Sequence, residues 1–137
     1  MVHYINLSAL ERSAGHFDVA LRYQDRIMEL WQLLYGRDHP DAVHTLSSIA
    51  LLLQSRQDFD TSLQAYQSSH DLALRLFGPD SIYTGNMAHE LSQAYTLSGD
   101  LKTAIQVEKD AWRIFQDRLG ADAVSYTHLR AHETRGN

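Results

Sequence analysis

Two histidines near the C-terminus have the spacing of metal ligands on one face of a helix. His128 and His132 are four residues apart, and Glu133 follows the second of them. Their order is not the HExxH order of zinc hydrolases, and no third ligand lies nearby in the sequence. We therefore predict no metal site.

No arrangement of residues indicates a catalytic nucleophile or a phosphate-binding loop. The chain has no cysteine. Its serines, histidines and aspartates occur without the strand, turn and helix that form a nucleophile elbow. The turn FGPDS at 77–81 lacks the GK[ST] end of a phosphate loop. The sequence predicts no catalytic residue, no cofactor-binding residue and no cofactor, and we expect that the protein is not an enzyme.

Composition indicates one acidic domain. The 137 residues include 12 Lys and Arg against 17 Asp and Glu, a net charge of −5, and only Lys102 and Lys109 are lysines. So few cations release few counterions from nucleic-acid phosphates, and we expect no direct nucleic-acid binding. No apolar run approaches the ~20 residues that cross a bilayer, and no signal peptide is present. We predict a cytoplasmic location without membrane insertion.

An internal repeat organises the chain. Gly36, Gly78 and Gly120 are each 42 residues apart, and each is followed two residues later by an aspartate. A shift by the same interval aligns large and small residues along the chain: Leu7, Ile49 and Leu91; Ser8, Ala50 and Ser92; Phe17, Phe59 and Leu101; Ala20, Ser62 and Ala104. Such self-similarity is typical of stacked supersecondary units.

Each period predicts two helices. Leu46, Ile49, Ala50 and Leu53 recur at i, i+3, i+4 and i+7, which places them on one helical face. Glycine and proline between these stripes indicate helix ends. Six helices are predicted near 2–14, 17–34, 41–55, 59–76, 82–97 and 101–118. They pair into hairpins at about 2–35, 41–77 and 82–119, an all-α solenoid.

The repeat pattern resembles the tetratricopeptide repeat. A leucine and a small residue on the first helix are followed by Gly, an aromatic residue and Ala-Leu on the second, in a 42-residue form similar to kinesin light chains. More narrowly, the chain resembles the C-terminal repeats of fungal clustered mitochondria (Clu) proteins in these segments: ALRYQDRIMELWQLLYGRDHPDAVHT (20–45), LFGPDSIYTG (76–85), ELSQAYTLSGDLKTAI (90–105) and AWRIFQDRLGAD (111–122). The resemblance implies a tetratricopeptide-repeat superhelix over residues 1–124.

The Clu resemblance also implies a function. Clu-family proteins are large cytoplasmic proteins that are needed for normal mitochondrial distribution, associate with messenger RNAs and are linked to translation initiation factor 3. We therefore expect a protein-interaction scaffold segment, with ribonucleoprotein association through the full-length protein. Because the family's long N-terminal region is missing, we expect a fragment. The alternative is a kinesin-light-chain-like cargo adaptor that binds extended peptides, since it has the same period.

The concave face of the superhelix is the predicted binding surface, because stacked hairpins curl their first helices inward. The family pattern of groove positions falls on Asn6, Ala9, Ser47, Ser48, Leu51, Asn86, His89, Glu90 and Gln93. This set is polar and lacks a cluster of Lys and Arg, so it does not resemble grooves that grip acidic tails. It favours an extended neutral or basic peptide. A solvated surface without a ligand explains the same residues equally well.

The C-terminal peptide departs from the repeat. Residues 125–137, SYTHLRAHETRGN, match no part of the period and resemble translated cloning-adaptor sequence. We predict that this tail is disordered and non-native.

Both ends of a three-hairpin solenoid are expected to expose apolar residues. These lie near Tyr4 and Leu7 at one end and near Trp112 and Leu119 at the other. The open ends predict weak folding or self-association. The larger aromatic residues Trp31, Tyr66, Tyr95, Trp112 and Phe115 are mostly predicted to lie in the core.

Overall fold

The described part of the chain consists of six α-helices without a strand. The structure is a computed structural model that describes residues 2–36 and 38–136, and the side chains of residues 121–136 are outside that description. The helices are α1 (Val2–Ser13), α2 (Phe17–Tyr35), α3 (Pro40–Ser55), α4 (Phe59–Phe77), α5 (Ile82–Ser98) and α6 (Leu101–Gly136). The all-α class predicted from the sequence is confirmed.

The helices stack in chain order as three hairpins. α1 packs on α2, α3 on α4 and α5 on α6, while α2 also packs on α3 and α4 on α5. Two apolar clusters lie across the last two hairpins. One is formed by Ala42, Val43, Leu72, Ala73 and Met87, and the other by Ala50, Tyr66, Leu91 and Ala94. Each cluster draws on three successive helices, so a hairpin needs its neighbour to bury its apolar side.

A pair of small residues lies where the two helices of a hairpin meet. In the first hairpin the Ser8 hydroxyl donates to the Ala20 carbonyl at 3.1 Å, and in the second the Ser62 hydroxyl donates to the Ala50 carbonyl at 2.6 Å. All four residues are at most 2% exposed. The serine is on the first helix in one hairpin and on the second helix in the next. The repeat therefore specifies one Ser–Ala pair at a close helix contact, whichever helix supplies the hydroxyl.

The turn within each hairpin needs a left-handed backbone at one aligned position. Gly15, Gln57 and Gly99 occupy this position with φ of 83°, 68° and 90°. An L-residue with a Cβ atom is strained there by about 1–2 kcal/mol, whereas glycine is not. The second hairpin therefore carries backbone strain that the first and third avoid.

We predict that Gln57→Gly stabilises the protein by about 0.5–1 kcal/mol. The strain relieved at φ 68° exceeds the entropy that glycine adds to the unfolded chain. Urea unfolding followed by circular dichroism measures the change. Gln54→Gly, inside α3, is the control and should destabilise by about 1 kcal/mol; a similar loss for Gln57→Gly would contradict the prediction.

The turns between hairpins share a second glycine conformation. Gly36 and Gly78 follow α2 and α4 with φ, ψ of 81°, −172° and 86°, 171°. Gly120 has φ 70° and ψ −164° and interrupts α6 at the aligned position. The chain thus leaves the third hairpin through the same turn as the first two.

The backbone beyond Gly120 is helical as far as Gly136. The disorder predicted for the tail at residues 125–137 stays a prediction. The segment from Ala121 to Arg135 contains neither glycine nor proline, so no residue in it interrupts a helix. The non-native origin of the peptide stays a prediction.

Candidate functional site

The first helices of the hairpins carry all nine predicted groove residues, and the structure brings them together in two groups. Ala9, Ser48 and Leu51 line one cavity of about 150 Å³ between α1 and α3. Ser47 and Glu90 form a hydrogen-bonded pair between α3 and α5, and His89 contacts Gln93 on α5; we call these two separate pairs, with their partners, the α3–α5 group. Asn6 and Asn86 are exposed and lie outside both groups.

A second cavity of about 240 Å³ adjoins the first, and the two share the lining residues Ile5, Gln24 and Ser48. We call these two adjoining cavities the α1–α3 groove. Arg12 lies at one end, and Asp41 and His44 lie at the other. The groove therefore offers a cationic side chain, a carboxylate and an imidazole around an apolar and amide-lined centre.

The base of the α1–α3 groove is a buried amide. Gln24, on α2, is 8% exposed, and its Nε2 donates to the Ser8 hydroxyl at 2.9 Å. That hydroxyl in turn donates to the Ala20 carbonyl. These bonds fix the Gln24 side chain against α1, because each buried polar group has a partner that would be costly to lose.

An indole also lines this groove. The Trp31 ring stacks on His39 with centroids 4.5 Å apart and planes 10° apart. Its Nε1 is buried and has no hydrogen-bond partner among the described residues. His39 uses its own Nδ1 to accept the Asp41 amide at 3.1 Å, which caps α3. The aromatic pair thus positions the start of α3 beside the groove.

The α3–α5 group is built around two carboxylates. The Ser47 hydroxyl donates to Glu90 Oε2 at 2.5 Å, and the Ser92 hydroxyl donates to Glu108 Oε2 at 2.5 Å. His89 Nδ1 lies 2.9 Å from the same Glu108 oxygen. Both hydroxyl groups donate to carboxylates, and neither donates to the imidazole, so this is not a nucleophile–base pair. The group therefore places two carboxylates on α5 and α6.

Three residues of the site come from second helices and were not predicted. Gln24 and Trp31 are on α2, and Glu108 is on α6. The repeat did contain a signal for two of them, because Gln24, Tyr66 and Glu108 are aligned by the 42-residue shift. Each lies four residues after Ala20, Ser62 or Ala104 and therefore on the same helical face as the small residue that contacts the first helix.

Tyr66 is the counterpart of Gln24 and Glu108 in the second hairpin. Its phenol should make the stability of the protein fall at alkaline pH. Burial, followed by the charge of Glu90, raises the pKa of its phenol from 10 to about 12. The stability that the neutral Tyr66 phenol contributes is fully present below pH 10 and is lost as the pH rises towards 12. The reason is that Tyr66 ionises at a lower pH in the unfolded chain than in the folded protein. Stability measured across this range should fall. The decline should be smaller in Tyr66→Phe and unchanged in Tyr83→Phe, an exposed tyrosine; equal declines in all three proteins would contradict the assignment.

Metal and membrane features are absent from the residues that can be examined. Within the described side chains, no three His, Asp or Glu residues are grouped closely enough to hold a metal ion. His128 and His132 lie outside those side chains. None of the described helices combines the length and apolarity needed to cross a bilayer.

Family models for the tetratricopeptide repeat match residues 41–117 and 1–41. The chain therefore belongs to the tetratricopeptide repeat family, and the structure is a tetratricopeptide-repeat solenoid as predicted. Such repeats generally mediate contacts between proteins, which supports a protein-interaction scaffold.

Its curated relatives are fungal clustered mitochondria protein homologues. The chain is 60% identical to that of Mycosarcoma maydis over 119 residues, which are 87% of this chain and 8% of the relative. It is 82% identical to that of Malassezia globosa over 55 residues, 40% of this chain and 4% of the relative. The Emericella nidulans protein is 34% identical over 122 residues, 89% of this chain and 10% of the relative. The predicted resemblance to fungal Clu proteins is confirmed, and the chain spans at most a tenth of the length of these three relatives.

Proposed function

We propose that this chain is a scaffold segment of a cytoplasmic Clu-type protein that acts in the distribution of mitochondria. The observation that carries the proposal is the 60% identity over 119 residues to a clustered mitochondria protein homologue. Identity at this level preserves the packing positions of a repeat and much of its surface. A scaffold role requires no chemistry from the serines, histidines and carboxylates of the concave face.

A segment exchange tests this role. In the Mycosarcoma maydis relative, the matching segment is replaced by residues 2–120 of this chain, and mitochondrial positions are scored in living cells. We expect normal distribution with the exchanged segment. As a matched control, the segment from an unrelated three-hairpin tetratricopeptide protein should leave mitochondria clustered. Clustering with both segments would contradict the proposal.

We further propose that the concave face binds an extended basic peptide. Glu90 and Glu108 lie on this face, and their carboxylates accept hydrogen bonds from serine hydroxyls while remaining partly accessible. The α1–α3 groove continues the surface with a buried amide and the imidazole of His44. A serine hydroxyl that donates to a carboxylate does not neutralise it, so its negative charge stays available to a cationic partner.

Fluorescence anisotropy measures the binding of three labelled ten-residue peptides, all rich in Ser and Gln. One peptide carries four lysines, one is uncharged and one carries four glutamates. The lysine peptide should bind at least tenfold more tightly than the glutamate peptide, and Glu90→Gln with Glu108→Gln should remove most of that difference. Asp60→Asn with Asp71→Asn makes the same charge change on α4 and is the control. Equal binding of all three peptides, or equal losses in both double variants, would show that the groove is not the site.

The acidic surface also bears on the links of Clu proteins to messenger RNA and translation initiation factor 3. With a net charge of −5, this segment contributes little to phosphate binding. We propose that ribonucleoprotein association of a full-length protein comes from contacts with protein partners or from other regions. Tight binding of transcript RNA to this chain, with a steep salt dependence, would contradict that assignment.

A further inference from the structure

The larger cavity of the α1–α3 groove, of about 240 Å³, contains a buried amide whose orientation is fixed. Gln24 is 8% exposed, and its Nε2 donates to the Ser8 hydroxyl, which in turn donates to the Ala20 carbonyl. A hydroxyl has only one proton, so the Gln24 atom that faces Ser8 has to be the nitrogen. The amide oxygen Oε1 is therefore the atom left for another partner.

The Gln24 Oε1 atom is open to the groove. It accepts no hydrogen bond from the described residues, and among them only Trp31 Nε1 is a side-chain polar atom that is both fully buried and unpartnered. Oε1 therefore keeps accessible surface, and Gln24 lines both cavities of the groove. A hydrogen bond to an acceptor in such an enclosed place is stronger than one in bulk water.

The next hairpin has an aromatic residue at the position of this amide. Tyr66 is the counterpart of Gln24, is 6% exposed and packs in the cluster with Ala50, Leu91 and Ala94. The shorter side chain of Gln24 instead lies at the base of two cavities. The first hairpin therefore has open space and a polar atom where the second has a packed phenol.

A carboxylate lines the same cavity. The Asp41 side chain is 57% exposed, and His39 Nδ1 lies 3.8 Å from its Oδ2. That nitrogen accepts the Asp41 amide at 3.1 Å, so it carries no proton and does not neutralise the carboxylate. No Lys or Arg of the described residues pairs with Asp41. The cavity thus combines a negative charge with a neutral acceptor.

The walls of the larger cavity are apolar and aromatic. Ile5 contributes an aliphatic side chain, and Trp31 contributes an indole that is held by its stack on His39. His44 adds an exposed imidazole. Arg12 lines the smaller cavity and not this one. The larger cavity therefore suits a side chain with an apolar stem and a cationic head that donates several hydrogen bonds.

We propose that this cavity binds one arginine side chain of an extended basic peptide. The guanidinium would donate to the Asp41 carboxylate and to Gln24 Oε1, and the stem would lie along the apolar wall. Arginine has five N–H donors in a planar fork and is weakly hydrated, so it can serve two acceptors beside an indole. Lysine is a compact, strongly hydrated charge that is costlier to bring into such a cavity. This assignment rests on the proposed function and names the residue that anchors the peptide.

The indole N–H signals in nitrogen-15 NMR spectra of the full chain report on this site. The chain has two tryptophans, and Trp112 lines a different cavity, so Trp112→Phe assigns the other signal to Trp31. The probes are N-acetyl-arginine amide and its lysine and citrulline analogues. We expect arginine to shift the Trp31 signal saturably at roughly millimolar concentration and to leave the Trp112 signal in place. Citrulline, which has a similar shape without the charge, should bind about tenfold more weakly.

Matched variants test the two acceptors. Asp41→Asn should weaken arginine binding about tenfold. Asp60→Asn should leave it unchanged, although it removes the same charge from the first turn of α4 that Asp41→Asn removes from the first turn of α3. Gln24→Tyr introduces the residue of the second hairpin and should abolish the shift by filling the cavity. Circular dichroism shows whether each variant folds, and Asp41→Asn decides the test if Gln24→Tyr does not. Equal losses in the two aspartate variants would overturn the proposal.

The four-lysine peptide distinguishes failure of this pocket from failure of the proposed function. If that peptide binds while arginine leaves the Trp31 signal unmoved, the arginine pocket is wrong and the basic-peptide function stands. Lysine that binds as tightly as arginine would also overturn the assignment to arginine. If neither the peptide nor arginine binds, both proposals are wrong.

Discussion

Replacement of Leu52 by alanine should lower the free energy of unfolding by about 2–5 kcal/mol. Leu52 is 1% exposed and is among the largest fully buried side chains of the described residues. It closes the bottom of the α1–α3 groove beside Gln24, where α1 and α3 approach each other. Removal of three carbon atoms leaves a cavity beside the Gln24–Ser8 hydrogen bond.

Leu10→Ala is the matched control for this substitution. Leu10 occupies the aligned position in α1 and is 67% exposed, so its loss should change stability by less than about 0.5 kcal/mol. Urea unfolding of dilute protein, followed by circular dichroism, gives both values under conditions where self-association is negligible. Equal losses at the two positions would mean that burial by a neighbouring hairpin does not determine stability here.

This contrast shows how far the sequence could predict the structure. The period identified Leu10 and Leu52 as one packing position, and the glycines and prolines marked where the helices end. The period alone does not give the extent of burial at these two positions, because burial depends on the hairpin that packs beside each. Trp112, which the sequence places both on a packing stripe and near an open end of the solenoid, is 46% exposed.

The candidate site was predicted only on the first helices. Ser47 contacts Glu90, and Ser48 lines the α1–α3 groove, while their place on a concave binding face stays a prediction. Gln24 and Glu108 reach the same surface from second helices through the gap left by the small residues Ser8 and Ser92. Such a contact depends on the distance between two helix backbones, which residue spacing along one helix does not give.

The two kinds of turn glycine should respond differently to a side chain. Gly99 has φ 90° and ψ −1°, near the left-handed helical region that some L-residues adopt, and Gln57 shows that the fold tolerates one at the aligned position. Gly78 has φ 86° and ψ 171°, a region that is essentially restricted to glycine. A Cβ atom added at either position would have no other group within 4 Å, so any cost arises in the backbone itself.

We therefore expect Gly78→Ala to destabilise the protein by about 2–3 kcal/mol and Gly99→Ala by about 0.5–1 kcal/mol. Thermal and urea unfolding of the two variants, beside the wild-type protein, measure the difference. The larger loss at Gly78 has a structural consequence, because this turn directs α5 back onto α4 and completes both apolar clusters. Equal losses at the two glycines would show that the turn between hairpins relaxes to another backbone conformation. Stacking of the hairpins would then not depend on the extended ψ that Gly36, Gly78 and Gly120 share.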